Sequence, residues 1–234
     1  MRRLLRLTTY VPIVYWAGTY LARFLLFVLV RWKVSGREQI PVAGGLLLVS
    51  NHLNNIDPII LGAAVPRRRI RFMAKIELFK WPLGIFARLY GAFPVRRFEA
   101  DVGAMLSAER ILRRGETLGM FPEGTRSKTG HVGKPHPGTA LIAMRTGATV
   151  LPCAITGTEK LGNPLNLLRR PAFRVQFAEP IVIPQVKRPT EAQVSELTDR
   201  LFAEICKLLP PQYLAAYTGS GTPQQEHDGS DPPG

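Results

Sequence analysis

The chain has 234 residues, of which 46% are hydrophobic and 21% charged, a balance that excludes a disordered or fibrous protein and predicts one globular domain. Lys and Arg number 31 against 17 Asp and Glu, and the formal net charge of +14 favours an anionic partner, either lipid headgroups or nucleic acid. Because the sequence carries no zinc, helix-turn-helix or RNP signature, we predict membrane lipids as the partner and no nucleic acid.

A long apolar segment near the amino terminus predicts contact with a membrane. Residues 7–22 carry no charge, Arg23 interrupts, and residues 24–30 are apolar again. A spanning helix needs about 20 consecutive apolar residues, and here Pro12, Gly18 and Arg23 divide the run. We therefore predict that residues 1–33 form a bent, half-inserted helix or helix pair at the cytoplasmic face of the cell membrane.

Two other interpretations of the apolar segment stay open. A cleaved secretory signal is disfavoured because the stretch is long, contains Arg23 and lacks a small-residue cleavage site. A buried amphipathic helix belonging to the following domain would show the same apolar content.

Short apolar runs alternate with helical patterns between residues 34 and 210. The predicted strands are 45–50, 71–74, 93–95, 117–121, 149–155 and 174–177, and the predicted helices are 58–64, 81–90, 99–114, 139–146 and 191–209. Thr190 is placed to cap the last helix, which Pro210 ends. This alternation predicts an α/β domain with a mixed, largely parallel central sheet flanked by helices.

Residues 211–234 are predicted to be a disordered tail. From Gly219 the chain contains no aliphatic side chain, so this part cannot bury enough surface to order itself. The two cysteines, Cys153 and Cys206, lie outside any CxxC or Cys/His spacing. We therefore predict reduced thiols and no metal site.

A histidine and an aspartate follow the first predicted strand in the segment NHLNNIDP, residues 51–58. Ligand sites in α/β folds commonly lie at the carboxyl ends of strands. On a regular helix, residues five apart such as His52 and Asp57 point their side chains to different sides and do not meet. Pro58 disfavours helical geometry at Asp57, so the sequence predicts a turn in which the two side chains can meet. In a turn the carboxylate can orient the imidazole, which then acts as a general base. The alternative is an ordinary helix cap at Asp57 and a packed histidine.

A second turn, Pro122 to Ser127, follows the strand 117–121. Backbone N–H groups around Gly124, two hydroxyl side chains and Arg126 are suited to binding a phosphate. The alternative is a polar turn with a solvated arginine.

These segments resemble the glycerolipid acyltransferase family that includes bacterial 1-acylglycerol-3-phosphate acyltransferases. Four blocks occur in the family's order: NHLNNID at 51–57, GAFPVRR at 91–97, FPEGTRS at 121–127 and VLPCAITG at 150–157. The similarity runs from about residue 34 to residue 183.

The resemblance implies roles for individual residues. It makes His52 the general base and Asp57 its orienting partner. Residues implied in binding the acceptor, mainly through its phosphate, are Lys75, Arg97, Glu123, Gly124, Thr125 and Arg126, and Pro152 matches a characteristic strand proline. The sequence departs from the family pattern at Asn54, where serine is usual, at Arg96, where an acid is common, and at His136, where lysine is frequent.

The implied reaction moves a fatty acyl group from acyl-CoA, or from acyl carrier protein, to the sn-2 hydroxyl of 1-acylglycerol-3-phosphate, giving phosphatidic acid. It needs no cofactor and no metal. Two alternatives remain: another lysophospholipid or lyso-aminolipid as acceptor, and a non-catalytic lipid-binding protein at the membrane surface.

Overall fold

A computed structural model describes residues 12–80, 83–96, 101–127 and 129–214 of the chain. Its strands are Arg31–Ser35 (β1), Leu46–Ser50 (β2), Ile70–Lys75 (β3), Phe93–Val95 (β4), Thr117–Met120 (β5), Thr149–Thr156 (β6) and Ala172–Phe177 (β7). The α-helices are Pro12–Leu29 (α1), Asp57–Ala64 (α2), Leu83–Leu89 (α3), Val102–Arg113 (α4), Gly138–Thr146 (α5) and Glu191–Lys207 (α6).

The strands form one sheet in the order β1-β7-β6-β2-β5-β3-β4. Every neighbouring pair is parallel except β6 and β7, which are antiparallel. The predicted mixed, largely parallel sheet flanked by helices is confirmed, and the predicted strands agree with it to within one or two residues at each end.

Alternate side chains of the central strand β2 point to opposite faces of the sheet, as the two-residue period of a strand requires. Leu47 and Val49 lie in a core that they share with α4, α5 and α6. Leu46 and Leu48 lie in a second core that they share with α1 and α2. All five residues of β2 are buried, so the ends of this strand are held firmly between the two layers.

Helix α1 runs without a break from Pro12 to Leu29, so the interruptions predicted at Gly18 and Arg23 are wrong. Tyr15, Thr19 and Leu26 are buried on one side of the helix. This burial outweighs the cost of a helical glycine, about 1 kcal/mol. No helix in the described ranges is long and apolar enough to cross a bilayer.

Both predicted ends of the catalytic domain need correction. Residues 31–33, assigned to the membrane segment, begin strand β1, which pairs in parallel with β7. At the other end, Pro211–Tyr213 form a short 3-10 helix and Tyr213 is buried, so the tail does not begin at 211. The folded unit therefore includes residues on both sides of 34–210, while residues 215–234 lie outside the described ranges.

Candidate active site

The sheet brings the predicted site residues that the structure describes to one edge, the edge formed by the carboxyl ends of the parallel strands. Strands β2, β3, β5 and β6 run parallel, with Val49 opposite both Met120 and Pro152. Their carboxyl ends lead directly into the segments 51–57, 76–79, 121–127 and 157–162. Four loops therefore follow from the edge of the sheet where α/β proteins place their ligands.

Asn51 fastens the start of the 51–57 turn to strand β6. Its side-chain Nδ2 donates to the Ile155 carbonyl at 2.9 Å, and its Oδ1 accepts the Ile155 N–H at 2.8 Å. Both partners are buried, and such paired bonds cannot be exchanged for water without loss. The position of His52 is consequently fixed relative to two strands.

The predicted contact between His52 and Asp57 is confirmed. Nδ1 of His52 lies 2.9 Å from Oδ2 of Asp57, and the same oxygen accepts the N–H groups of Leu53 and Asn54, each at 2.7 Å. Asp57 is fully buried and His52 is 6% exposed. Because an ionised carboxylate only accepts hydrogen bonds, Nδ1 carries the hydrogen and Nε2 is left as the basic nitrogen.

The capping alternative for Asp57 is wrong. Asp57 is the first residue of α2, and the preceding Ile56 occupies the cap position without a side-chain hydrogen bond. The carboxylate instead points back into the turn toward residues 52–54.

The ring of His52 also stacks on the ring of Phe121, with centroids 4.0 Å apart and planes 15° apart. The imidazole ring is therefore positioned by two contacts, with Phe121 against its face and with Asp57 at Nδ1.

Glu123 contacts the His52 turn from inside the protein. Its Oε1 accepts the His52 N–H at 3.0 Å and its Oε2 accepts the Gly133 N–H at 2.7 Å. The residue is 5% exposed. The N–H of Ser127 donates to the His52 carbonyl at 2.8 Å. The loop 121–127 therefore binds both backbone groups of His52, its N–H through Glu123 and its carbonyl through Ser127. Both carboxylate oxygens of Glu123 are occupied by backbone N–H groups of the protein.

Burial raises the pKa of Glu123 to about 7, against the opposing effect of the Gly133 and His52 N–H groups, and the nearby Asp57 adds to the rise. A carboxyl whose pKa is raised on folding binds more protons in the native state between about pH 4.5 and pH 7. Its contribution to the free energy of unfolding therefore falls as pH increases through that window.

We expect Glu123→Gln to remove this dependence. Between about pH 4.5 and 7 the wild type should lose roughly 1–3 kcal/mol of unfolding free energy relative to the variant, because only the wild type can ionise at this position. Urea denaturation of both proteins at several pH values measures the difference. A constant difference across the window would contradict the raised pKa.

The remaining predicted binding residues lie around this core. Gly124 has φ +67°, and a Cβ there would come 3.0 Å from Cδ2 of His136, so glycine suits the turn on two counts. Thr125 and Arg126 are exposed beyond it, and within the described part of the chain the Arg126 guanidinium has no protein partner. Lys75 is exposed at the end of β3, on the same edge of the sheet. Arg97 lies outside the described residues.

Comparison with known proteins assigns the family. A sequence model of the acyltransferase family, described as "Acyltransferase", matches residues 31–156, from the start of β1 to the end of β6. The chain belongs to the acyltransferase family. It is 30% identical over 184 residues to the 1-acyl-sn-glycerol-3-phosphate acyltransferase of Bacillus subtilis strain 168, an alignment that covers 75% of this chain and 87% of the relative.

Other relatives agree with this assignment. A 1-acyl-sn-glycerol-3-phosphate acyltransferase of Streptococcus pneumoniae is 29% identical over 192 residues, covering 78% of this acyltransferase and 70% of the relative. Among solved structures, the 1-acyl-sn-glycerophosphate acyltransferase of Thermotoga maritima is similar with a TM-score of 0.61 and 26% identity, covering 81% of this chain and 78% of that one. The protein is therefore an enzyme of acyl transfer with the fold of that structure.

The sequence does not predict the contacts that Asn51, Phe121 and Ser127 make at the site of this acyltransferase. Asn51 and Phe121 immediately follow strands β2 and β5, and Ser127 ends the second turn. All three belong to the segments NHLNNID and FPEGTRS, which is the signal that the sequence offers for them. Their contacts with β6, with the imidazole ring and with the His52 carbonyl are non-local, and sequence spacing does not reveal those.

Proposed function

We propose that this acyltransferase moves a fatty acyl group from an acyl thioester, acyl-CoA or acyl carrier protein, to the sn-2 hydroxyl of 1-acylglycerol-3-phosphate, giving phosphatidic acid. The observation that carries the proposal is the buried His52–Asp57 pair at the same sheet edge as the exposed Arg126. The names of the relatives from Bacillus subtilis and Streptococcus pneumoniae support the choice of acceptor.

The chemistry follows from the free nitrogen of His52. Nε2 takes the proton of the acceptor hydroxyl as its oxygen attacks the thioester carbonyl. The tetrahedral intermediate then expels the thiolate, which receives the proton back from the imidazolium. One ester bond forms, one thioester bond breaks, and no acyl-enzyme, cofactor or metal is needed. Asp57 stabilises the positive ring between the two proton transfers.

We assign the acceptor phosphate to the exposed cations of the same edge. Arg126 offers a planar, permanently charged guanidinium that can bind two phosphate oxygens at once, and Lys75 adds a more compact charge at the same edge. Arg97, which lies outside the described residues, keeps its proposed phosphate-binding role from the sequence resemblance alone. Holding the phosphate fixes the hydroxyl next to Nε2, which converts a bimolecular step into an effectively intramolecular one. Thr125 and the backbone around Gly124 would complete the phosphate site.

An acceptor panel tests this function. Purified protein is given a long-chain acyl thioester with 1-acylglycerol-3-phosphate, with monoacylglycerol, or with other lysophospholipids, and free thiol and lipid product are followed. We expect 1-acylglycerol-3-phosphate to be preferred by about 10²-fold in kcat/KM over monoacylglycerol, which lacks the phosphate. A preference for a different lysophospholipid would reassign the acceptor, and no transfer to any acceptor would leave only lipid binding.

The same assay tests Arg126. Arg126→Ala should raise the KM for the acceptor by roughly 10–100-fold and leave the KM for the thioester within about twofold. The matched control is Arg114→Ala, which removes an exposed arginine beside the amino end of β5, at the opposite edge of the sheet. Equal effects of Arg126→Ala on both substrates would count against a phosphate role.

We also propose that α1 attaches the enzyme to the cytoplasmic face of the cell membrane. Large apolar side chains cover its exposed side, namely Tyr20, Leu21, Phe24, Leu25, Phe27 and Val28. Exposed apolar patches of this kind commonly mark membrane or protein contacts, and the net charge of +14 favours anionic lipid. Attachment would let the enzyme take both of its lipid substrates, the acyl thioester and the lysophospholipid, from the bilayer.

Vesicle binding tests this attachment. Phe24→Glu places a charge in the centre of the patch and should weaken binding to anionic phospholipid vesicles by about tenfold or more. The control is Val182→Glu, which changes a side chain that is 77% exposed, against 63% for Phe24, but lies outside α1. Sedimentation with vesicles measures both, and equal losses would show that α1 has no special part in binding.

A further inference from the structure

Tyr213 is a buried residue of the carboxyl-terminal segment that contacts two loops of the active-site edge. Its hydroxyl accepts the Gly157 N–H at 3.1 Å and donates to Oε1 of Glu159 at 2.9 Å. Its carbonyl accepts the Val132 N–H at 2.9 Å. Tyr213 is 6% exposed and lies well beyond residues 31–156, which match the family model.

The first route from Tyr213 to the catalytic turn passes through its carbonyl. Val132, which that carbonyl holds, is followed directly by Gly133, whose N–H donates to Glu123 Oε2. The other oxygen of Glu123 accepts the His52 N–H. Because a carboxylate is rigid and planar, a shift at Gly133 is passed to the backbone of His52 through one group.

The second route passes through the Tyr213 hydroxyl. Gly157, whose N–H it accepts, has φ +93°, a conformation that favours glycine. The adjoining carbonyl of Thr158 accepts Nδ2 of Asn54 at 3.1 Å. Asn54 in turn donates its N–H to the Asp57 carboxylate. The phenol therefore supports the turn from the side opposite to Glu123.

We propose that Tyr213 is a positioning residue for acyl transfer, which joins the loops 129–136 and 157–162 so that both sides of the turn 52–57 keep the geometry of the His52–Asp57 pair. The inference rests on the proposed function of that pair. Tyr213 touches neither substrate in this assignment and acts through Glu123 and Asn54.

The electrostatics of the phenol fit this role. Burial raises the pKa of Tyr213 to about 12, and the nearby Glu159 carboxylate adds to the rise, so the hydroxyl stays protonated at neutral pH and can donate to that carboxylate. Its oxygen remains free to accept the Gly157 N–H. The hydroxyl thus makes one hydrogen bond as a donor and one as an acceptor, and a phenylalanine at this position would make neither.

Tyr213→Phe tests the proposal, with Tyr15→Phe as the matched control. Tyr15 is also buried, and its hydroxyl accepts the Ile70 N–H at 3.1 Å, at the amino end of β3 and therefore away from His52. Both variants keep the aromatic ring and lose one buried hydroxyl, so both should lower the melting temperature by a similar few degrees. Only Tyr213→Phe should lower kcat, by about tenfold, with KM for both substrates within about twofold.

Amide hydrogen exchange gives an independent readout. In Tyr213→Phe the amide of Gly157, which loses the phenol oxygen as its acceptor, should exchange about tenfold faster or more, while in Tyr15→Phe it should not change. Unchanged exchange at the Gly157 amide, or equal losses of kcat in the two variants, would overturn the proposal. If the wild type fails to acylate 1-acylglycerol-3-phosphate, the proposed function is overturned instead, and the exchange measurement still decides whether Tyr213 holds the turn.

Discussion

Replacing His52 with alanine is expected to lower kcat for acyl transfer by roughly 10²–10⁴-fold, the usual contribution of a positioned general base. The expectation follows from the contacts of the ring. Nδ1 is hydrogen-bonded to Asp57 and the face of the ring is stacked on Phe121, so Nε2 is the nitrogen that can act as the base. KM values should change little, because the imidazole contributes to the transition state more than to substrate binding. Thiol release from a long-chain acyl thioester in the presence of 1-acylglycerol-3-phosphate measures the loss.

Two further variants separate chemistry from folding. His52→Asn keeps a side-chain donor near Asp57 but has no basic nitrogen, so it should be as inactive as alanine and more stable. His131→Ala removes another partly buried imidazole, from the loop 129–136, and should retain activity. Partial rescue of His52→Ala by added imidazole would support the base role directly. A well-folded His52→Ala protein with near-normal kcat would refute it.

The parts of the fold that follow a local period were predictable from the sequence. Strand β4 was predicted at 93–95, where it lies, because the short apolar run is bounded by a glycine turn and charged residues. The His52 turn was predictable because Pro58 constrains the residue before it. In each case the deciding interaction lies within a few residues, and such interactions are encoded locally.

The missed elements depend on partners far along the chain. Strand β1 alternates exposed and half-buried residues, with Arg31 and Lys33 on its open side, so its apolar content is too low to identify a strand. It is a strand because β7, about 140 residues later, offers it hydrogen bonds. Tyr213 follows two prolines and precedes a polar tail, and its burial comes from loops that the sequence does not place beside it.

The direction of a side chain in a turn was also beyond sequence reasoning. Glu123 and Arg126 stand three residues apart in one motif, and the resemblance gave both to the acceptor phosphate. In the structure Arg126 is exposed, whereas Glu123 turns inward to two backbone N–H groups. A carboxylate beside a phosphate would be repelled, so the inward orientation is also electrostatically reasonable. Glu123 is better explained as a support for His52 than as a ligand for an anion.

Asp57→Asn is expected to lower kcat by roughly 10²-fold or more while leaving the turn folded. The oxygen at the Oδ2 position accepts two backbone N–H groups at 2.7 Å, and an amide NH₂ placed there would face both donors. The asparagine must therefore keep its oxygen toward residues 52–54, and the Nδ1 hydrogen of His52 retains an acceptor. Asp57→Asn therefore removes only the negative charge that stabilises the imidazolium. The fall in kcat is measured by thiol release, as for the His52 variants.

Asp57→Ala provides the contrast that isolates charge from geometry. It removes the acceptor altogether and leaves two buried N–H groups without a partner, at a cost of about 1–3 kcal/mol each. Its melting temperature should therefore fall clearly, whereas that of Asp57→Asn should stay close to the wild type. If Asp57→Asn were as unstable as Asp57→Ala, the lost activity would reflect a collapsed turn. If Asp57→Asn were stable and fully active, the carboxylate charge would have no part in catalysis, and His52 would need only an acceptor to orient it.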